Sequence, residues 1–422
     1  MNFQVPLIIG FRSEVMEKTI IVAIDVGTTK VCTLIAQIDA QNSIRVLGVG
    51  IEPSNGIRKG TVIDIPQAAN SIAKSVKKAE RTSGLEITNA IVSVAGTHIS
   101  SFNNKATTGI GAGVIDQYDI RRVSEALKAI PMPHNRMIIH RLHRSFSVDG
   151  VEGIRQPIGM FGSRLDAEAH IITASTSSVE NLRQCIMTAE IDVKQFVLNP
   201  LADGEVILTD IEKQMGVVVC DIGGGTTDLA IYINGDVWHT NVIPVGGSHI
   251  TNDIAQAFHL PLTQAEEIKK IHGHAMPDYI GEEEYFYSRT FGREEAAKFN
   301  RRELAKIIHM RTEEIFQLVL QEIKRSGYDN LLPAGMVLTG GSSLLSGIDK
   351  VGSEVLNMPV RLAKPENLTG MIDQLDSPAY STAVGLLYWS MLIQDTPDGQ
   401  PAPKDISSTF DKLKRILRNL LP

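Results

Sequence analysis

The sequence predicts an α/β protein whose two main domains are related and face each other. Three observations predict it. An apolar strand ending in aspartate, a Gly/Thr turn and a second strand occur at 19–39 and again, in the same order, at 215–247. Between these copies, residues 88–168 change character: short β runs flank one helical stretch, as in a small α/β insert. The chain closes with a Pro/Gly-rich segment and then apolar residues at helical spacing.

The elements follow in order. Residues 1–18 are read as an N-terminal extension; "MNFQVPLIIGFRSEV" is weakly apolar but lacks the basic start of a signal peptide. "TIIVAIDVGTTKVCTLIAQID" reads as strand, tight turn and strand, and "RVLGVG" as a third strand. Asp64 and Pro66 open a helix with an apolar stripe of Ala69, Ile72, Ala73, Val76 and Ala79. "AIVSVAG" (90–96) is a strand; "RMIIHRLH" (136–143) and the helix "DIRRVSEALKAI" (119–130) mark the insert. "AHIITAS" (169–175) and "SVENLRQCIMTAEI" (178–191) add a strand and a helix. After the second copy come a helical region (250–326), the strand–turn–helix "GMVLTGGSSLLSGI" (335–348) and the apolar helix "YSTAVGLLYWSMLI" (380–393). The expected division is a first domain at 19–87 and 169–200, the insert at 88–168, and a second domain at 201–249 and 331–393. A helical subdomain occupies 250–330, a linker 394–409 and a terminal helix 410–422.

Composition narrows the function. A net charge of −7 argues against a general nucleic-acid binder. Cys32, Cys185 and Cys220 are far apart and form no CxxC pair, so they are expected to be buried thiols. No stretch reaches the ~20 apolar residues of a membrane span.

The two turns carry the chemistry. A turn between strands directs successive backbone N–H groups into one small space, which suits an anion. Glycine lets a phosphate oxygen approach the main chain, and threonine hydroxyls add donors. Asp25, Gly27, Thr28 and Thr29 in the first copy match Asp221, Gly223, Gly224, Gly225, Thr226 and Thr227 in the second. An aspartate beside phosphate makes sense if a divalent cation and its water shell lie between them, so Asp25 and Asp221 are the expected metal-facing acids. Lys30 adds positive charge next to the first turn. Gly340, Gly341 and Ser342 form a further Gly-rich turn that suits a sugar or base. Glu266 and Lys269 lie three apart on one helical face, as either a solvated ion pair or a nucleoside clamp.

D-x-G-T-T, then D-I-G-G-G-T-T-D, then T-G-G-S resembles the actin/Hsp70/sugar-kinase superfamily. Within it, the chain resembles the FtsA family of bacterial cell-division proteins. The stretches that carry this are "GIRKGTVIDIPQAANSIAKSVKKAE" (56–80), "VAGTHIS" (94–100), "PIGMFGSRLDAEAHII" (157–172) and "WHTNVIPVGGSHITNDIAQAF" (238–258). The resemblance implies an actin-like fold with ATP and Mg in a cleft between the domains. It places the two Gly/Thr turns on the phosphates, and Gly246, Gly247, Glu266, Lys269, Gly340, Gly341 and Ser342 around adenosine. It implies self-assembly into filaments and docking of the C-terminal peptide of FtsZ within about 250–330. It further implies contacts of the insert with other division proteins, at the cytoplasmic face of the membrane. One departure matters. Chaperone and MreB-like relatives carry Glu-Pro where this chain has Asn199-Pro200. An amide holds water but is a poor base, so slow hydrolysis is expected. Asp203 and Glu205 are expected to be displaced along the following helix.

At the end, Phe410, Leu413, Ile416, Leu417, Leu420 and Leu421 fall within an arc of about 140°. Lys412, Lys414, Arg415 and Arg418 lie opposite, with Asp411 and Asn419. A helix about 18 Å long is too short to span a bilayer, and this pattern suits an anionic membrane surface. The alternative is a helix docked on its own domain; the Pro/Gly linker argues against it. The competing functions are a small-molecule kinase of the same superfamily and the pilus-associated actin-like protein PilM. The first would need a second substrate-binding carboxylate cluster, and the second generally lacks the basic terminal helix.

Overall fold

The computed structural model describes residues 19–39, 43–111, 113–292 and 295–393. The extension at 1–18, the linker at 394–409 and the terminal helix at 410–422 lie outside the described residues.

The first half begins with a meander of β1 (Thr19–Val26), β2 (Lys30–Ile38) and β3 (Ile44–Pro53). A small hairpin follows, β4 (Ile57–Arg58) and β5 (Thr61–Val62), then α1 (Ile65–Ser83) and β6 (Asn89–Val94). Asp64 caps α1 by accepting the Gln67 N–H, with Pro66 in the first turn where its missing donor costs nothing. Five further elements build the insert: β7 (Ser100–Gly109), α2 (Gln117–Lys128), β8 (Arg136–Val148), β9 (Val151–Ile154) and β10 (Arg164–Ser175). The chain returns through α3 (Thr176–Met187), β11 (Asp192–Leu198), α4 (Asn199–Ile207) and α5 (Asp210–Met215).

The second half repeats the plan with β12 (Val217–Ile222), β13 (Thr227–Ile233) and β14 (Asp236–Ile243). Its small lobe holds α6 (Gly247–Phe258), α7 (Leu262–His272), β15 (Tyr285–Arg289), β16 (Ala296–Asn300) and α8 (Arg301–Ser326). Then come β17 (Met336–Thr339), α9 (Ile348–Leu356), β18 (Val360–Leu362), β19 (Thr369–Gly370) and α10 (Ser381–Ile393).

The duplication is visible in the sheets. The first has the order β11-β6-β1-β2-β3-β19 and the second the order β14-β13-β12-β17-β18. In each, an antiparallel meander is extended on its first strand by parallel strands, so β1 corresponds to β12 and β6 to β17. The last six residues of β1 and all six of β12 are buried, because helices cover both sheet faces. The insert has its own sheet, β7-β10-β8-β9, and its own core around Val123, Leu165 and Ile171.

Three boundaries differ from the sequence reading. β6 belongs to the first sheet, parallel to β1 and β11, although it falls within 88–168. β10 pairs with β7 and β8 along its whole length, so 169–175 stays with the insert's sheet. The segment 331–393 was expected to stay with the second half, yet α10 packs on β1, β6 and α4. The reason is that α10 is apolar on every side, and its Val384, Leu386, Leu387 and Trp389 complete the first core.

Candidate functional site

The two Gly/Thr turns lie on opposite walls of one cleft of ≈ 470 Å³. Each closes in the same way: the Gly27 N–H donates to the Lys30 carbonyl at 3.0 Å, and the Gly223 N–H to the Thr226 carbonyl at 2.9 Å. The Gly223 carbonyl accepts from Gly247 N–H and Ser342 Oγ, both at 2.9 Å, and the Gly224 carbonyl from Ser248 N–H at 2.8 Å. No acceptor among the described residues takes the N–H groups of Gly224 or Gly225. The turns approach so closely that a Cβ on Gly224 would lie 2.3 Å from Thr29 Cγ2, and one on Gly225 2.7 Å from Thr28 Oγ1. Side chains at 224 and 225 are therefore excluded by the facing turn.

The cleft is lined by Asp25, Gly27, Thr28, Thr29, Lys30, Asp221, Gly223, Gly224, Gly225, Thr226, Gly247, Glu266, Lys269, Gly340, Gly341 and Ser342. Two expected residues stand apart. Thr227 is fully buried and its hydroxyl donates to the Val245 carbonyl at 2.8 Å, so it fixes the strand end instead of facing the cleft. Gly246 lies behind the wall, where a Cβ would sit 2.7 Å from the Gly223 carbonyl oxygen. Lys269 faces the cleft rather than solvent. Its ammonium binds Glu266 at 2.6 Å, Thr251 Oγ1 at 2.9 Å and the Gly247 carbonyl at 3.1 Å, and burial lowers its pKa.

Beneath the turns lies a group of buried acids. Asp25 accepts from Ser93 Oγ at 2.9 Å, and that oxygen in turn accepts the Val26 N–H at 2.8 Å. Asp221 is cross-strand from Asp228. Gly340, at φ +89, must be glycine: a Cβ there would stand 1.9 Å from Asp221 Oδ1. Thr382 Oγ1 lies 3.0 Å from Asp203 Oδ1 and 3.5 Å from Asp221 Oδ2. Burial raises the pKa of Asp25 against the pull of Lys30 and Ser93. Burial and the Asp25 charge push Asp221 up to about 6. Asp203 and Asp228 are driven well above the ordinary carboxylate value by burial and by Asp221. Asp203 Oδ2, Asp228 Oδ1 and Asn199 Oδ1 are buried without a hydrogen-bond partner. Such orphans are expensive inside a protein unless something else satisfies them.

Asp203 therefore belongs to this floor, whereas the sequence reading displaced it along a helix. Asp228, Ser93 and Thr382 were not anticipated. Asp228 carried a signal, since an acid between Thr227 and the apolar run "LAIY" is costly without a purpose. Thr382 carried a weaker one, as one of few polar residues in an apolar helix.

The family model "Cell division protein FtsA" matches residues 218–385, and "SHS2 domain inserted in FTSA" matches 96–173. The chain is 38% identical over 387 residues to the cell division protein FtsA of Pseudomonas aeruginosa, covering 92% of both chains. It is 37% identical over 404 residues to that of Borreliella burgdorferi, covering 95% of this chain and 94% of the relative. It is 32% identical over 407 residues to that of Escherichia coli K12, covering 95% and 97%. Among solved structures, the PilM–PilN type IV pilus biogenesis complex has a similar chain (TM-score 0.60, 16% identity, 87% of this chain and 97% of that one). MreB5 of Spiroplasma citri bound to ADP is also similar (TM-score 0.53, 16% identity, 90% and 98%). These two likenesses establish the actin-like fold.

Proposed function

The chain belongs to the FtsA family of cell-division proteins, and from that premise we propose that it binds Mg-ATP in the cleft and assembles into filaments on the cytoplasmic face of the membrane. There it would anchor the FtsZ ring. The observation that supports nucleotide binding is the meeting of two equivalent glycine turns, one from each sheet, over Asp25 and Asp221. The acids fit a cation, since their burial is incompletely offset by Lys30, Ser93 and Thr382. No three His, Cys, Asp or Glu side chains among the described residues converge on one point, so Asp25 and Asp221 would hold Mg through its waters. The ion would neutralise phosphate charge. The free N–H edges of Gly224 and Gly225 would bind the polyphosphate, and Lys269 and Ser342 would orient the nucleoside.

Asn199 lines the cleft at the position where an acid would activate water, so hydrolysis is slow and ATP acts mainly as a ligand that closes the cleft. No helix among the described residues is long and apolar enough to cross a membrane. The sequence of 410–422 supports membrane residence: Phe410, Leu413, Ile416, Leu417, Leu420 and Leu421 recur at helical spacing as a lipid-binding set would, and Lys412, Lys414, Arg415 and Arg418 supply cations for an anionic surface. A single tail binds weakly, and a filament presents many, so assembly and membrane binding reinforce each other.

The test is sedimentation with anionic vesicles. With Mg-ATP the full chain pellets, and deletion of 409–422 leaves it in the supernatant. Unchanged pelleting of the truncated chain would refute the anchor, and absence of any calorimetric signal with Mg-ATP would refute the cleft assignment.

A further inference from the structure

Three lysines line the cleft, and two of them are paired. Lys269 and Lys270 both reach the Glu266 carboxylate, at 2.6 and 3.4 Å. Lys30 makes no ion pair or hydrogen bond among the described residues. Acids are nonetheless close by. Burial raises the pKa of Asp25 and Asp221, and the Lys30 charge pulls both back down. A long, flexible lysine in reach of two buried carboxylates would ordinarily settle on them. Here its ammonium lies over the Tyr380 ring, 5.0 Å from the centroid.

Tyr380 ends the short turn Pro378–Tyr380 that leads into α10. That turn is fastened on both sides. Toward the second half, the Pro378 carbonyl accepts from the Gly340 N–H and from Thr339 Oγ1, both at 3.3 Å, and Ser381 Oγ lies 2.7 Å from Thr339 Oγ1. Toward the first half, Thr382 reaches Asp203 on α4, and the Tyr380 ring packs on the first core. Lys30 and Cys32, which alternate onto one face of β2, are its charged and titratable neighbours there. The ring is therefore placed by its own backbone and core contacts, and not by the lysine. Its hydroxyl makes no hydrogen bond among the described residues, so the ring face is the part in use. A ring face attracts an ammonium without cancelling its charge, whereas a carboxylate would cancel it.

We propose that Tyr380 is a positioning residue for Lys30: its ring seats the ammonium at the cleft wall, off Asp25 and Asp221, so that the full positive charge is presented to the polyphosphate. Without the seat, Lys30 would fall onto these acids, and the incoming cation and nucleotide would have to break that ion pair first. The proposal rests on the nucleotide reading above and adds a residue that touches neither phosphate nor metal.

The test is calorimetry of the full chain with Mg-ATP. Four proteins are compared: the wild type, Tyr380→Phe, Tyr380→Leu, and the chain with 3,4,5-trifluorophenylalanine at position 380. The fluorinated ring keeps the shape of phenylalanine but loses the electron density of its face, so it separates the seat from core packing even where Tyr380→Leu folds poorly. Tyr380→Phe should bind within about 2-fold of wild type, while Tyr380→Leu should lose about 5-fold or more and the fluorinated ring about 3-fold or more, the range of a partly desolvated cation–π contact. In a Lys30→Gln background the fluorine effect should vanish. Equal affinities of the phenylalanine and trifluorophenylalanine proteins, or an undiminished fluorine effect in Lys30→Gln, overturn the seat while leaving the nucleotide site standing. No binding of Mg-ATP to the wild type overturns the nucleotide reading itself.

Discussion

Asp166 in the insert and Asp221 under the cleft are both buried aspartates on β-strands, and they are treated in opposite ways. Asp166 is surrounded by donors: Arg164 at 2.6 and 2.8 Å, Thr107 at 2.8 Å, Ser147 at 3.1 Å and Lys105 at 3.4 Å. Those contacts, Arg164 foremost, hold its pKa well below the usual carboxylate range. Asp221 has one long contact from Thr382, three further buried acids (Asp25, Asp203 and Asp228) around it, and a pKa pushed up to about 6. The first acid is part of the scaffold and is complete in itself. The second is left incomplete, and incompleteness at the meeting point of two anion-binding turns is the physical mark of a ligand site.

The sharpest way to test that contrast is to neutralise each acid. Asp221→Asn should weaken Mg-ATP binding by about 100-fold or more while leaving the apo melting temperature unchanged or higher, because it removes a poorly solvated charge. Asp166→Asn should do the reverse, with nucleotide affinity within about 2-fold of wild type and a stability loss of roughly 1–3 kcal/mol, since its donors lose their acceptor. Calorimetry and thermal melts on both variants decide it, and a stabilised Asp166→Asn would remove the distinction.

The second test is pH. The folded pKa of Asp221 is raised, so the cleft's contribution to apo stability is absent at neutral pH, is gained as pH falls through about 6, and is complete below the unfolded value near 3.8. The same protonation competes with the cation, so Mg-ATP affinity should fall over that window. Asp166 is depressed, so its contribution is present above about 3.8 and is lost only as pH falls further. Asp236 is also raised to about 6 and the buried histidines act in the opposite sense, so the difference between wild type and Asp221→Asn isolates the acid: the variant should lack part of the gain between pH 7 and 5. Identical pH profiles of the two proteins would contradict the cleft assignment.

The smallest expected effect concerns two neighbouring threonines. Thr227→Val should cost about 1 kcal/mol of stability through the lost bond to Val245 and change nucleotide affinity by less than about 2-fold. Thr226→Val, whose residue lines the cleft, should weaken nucleotide binding more than it lowers stability. Equal effects of the two in binding measurements would erase the separation drawn between them.

The sequence made the paired turns legible because glycine, threonine and aspartate at fixed offsets express local backbone geometry. Asp64 capping α1 is a case of the same kind. It did not reveal Asp203, Thr382 or the placement of α10, because each depends on packing between residues far apart in the chain. Asp203 meets Thr382 across 179 positions. Thr227 shows the limit of motif reading in the other direction: it has the expected residue type at the expected offset, yet its side chain turns into the strand.

The placement of α10 has a mechanical consequence. The chain passes from the first half to the second after β11 and comes back between β18 and β19; β19 joins the first sheet on β3, and α10 then lodges against β1 and α4. Two covalent crossings side by side act like the paired pins of a door: they favour swinging about the line that joins them and resist sliding or twisting. Thr382 on α10 bonds Asp203 on α4, just past the first crossing, and reaches Asp221 of the second sheet, so a swing of the halves would be felt at this hydroxyl.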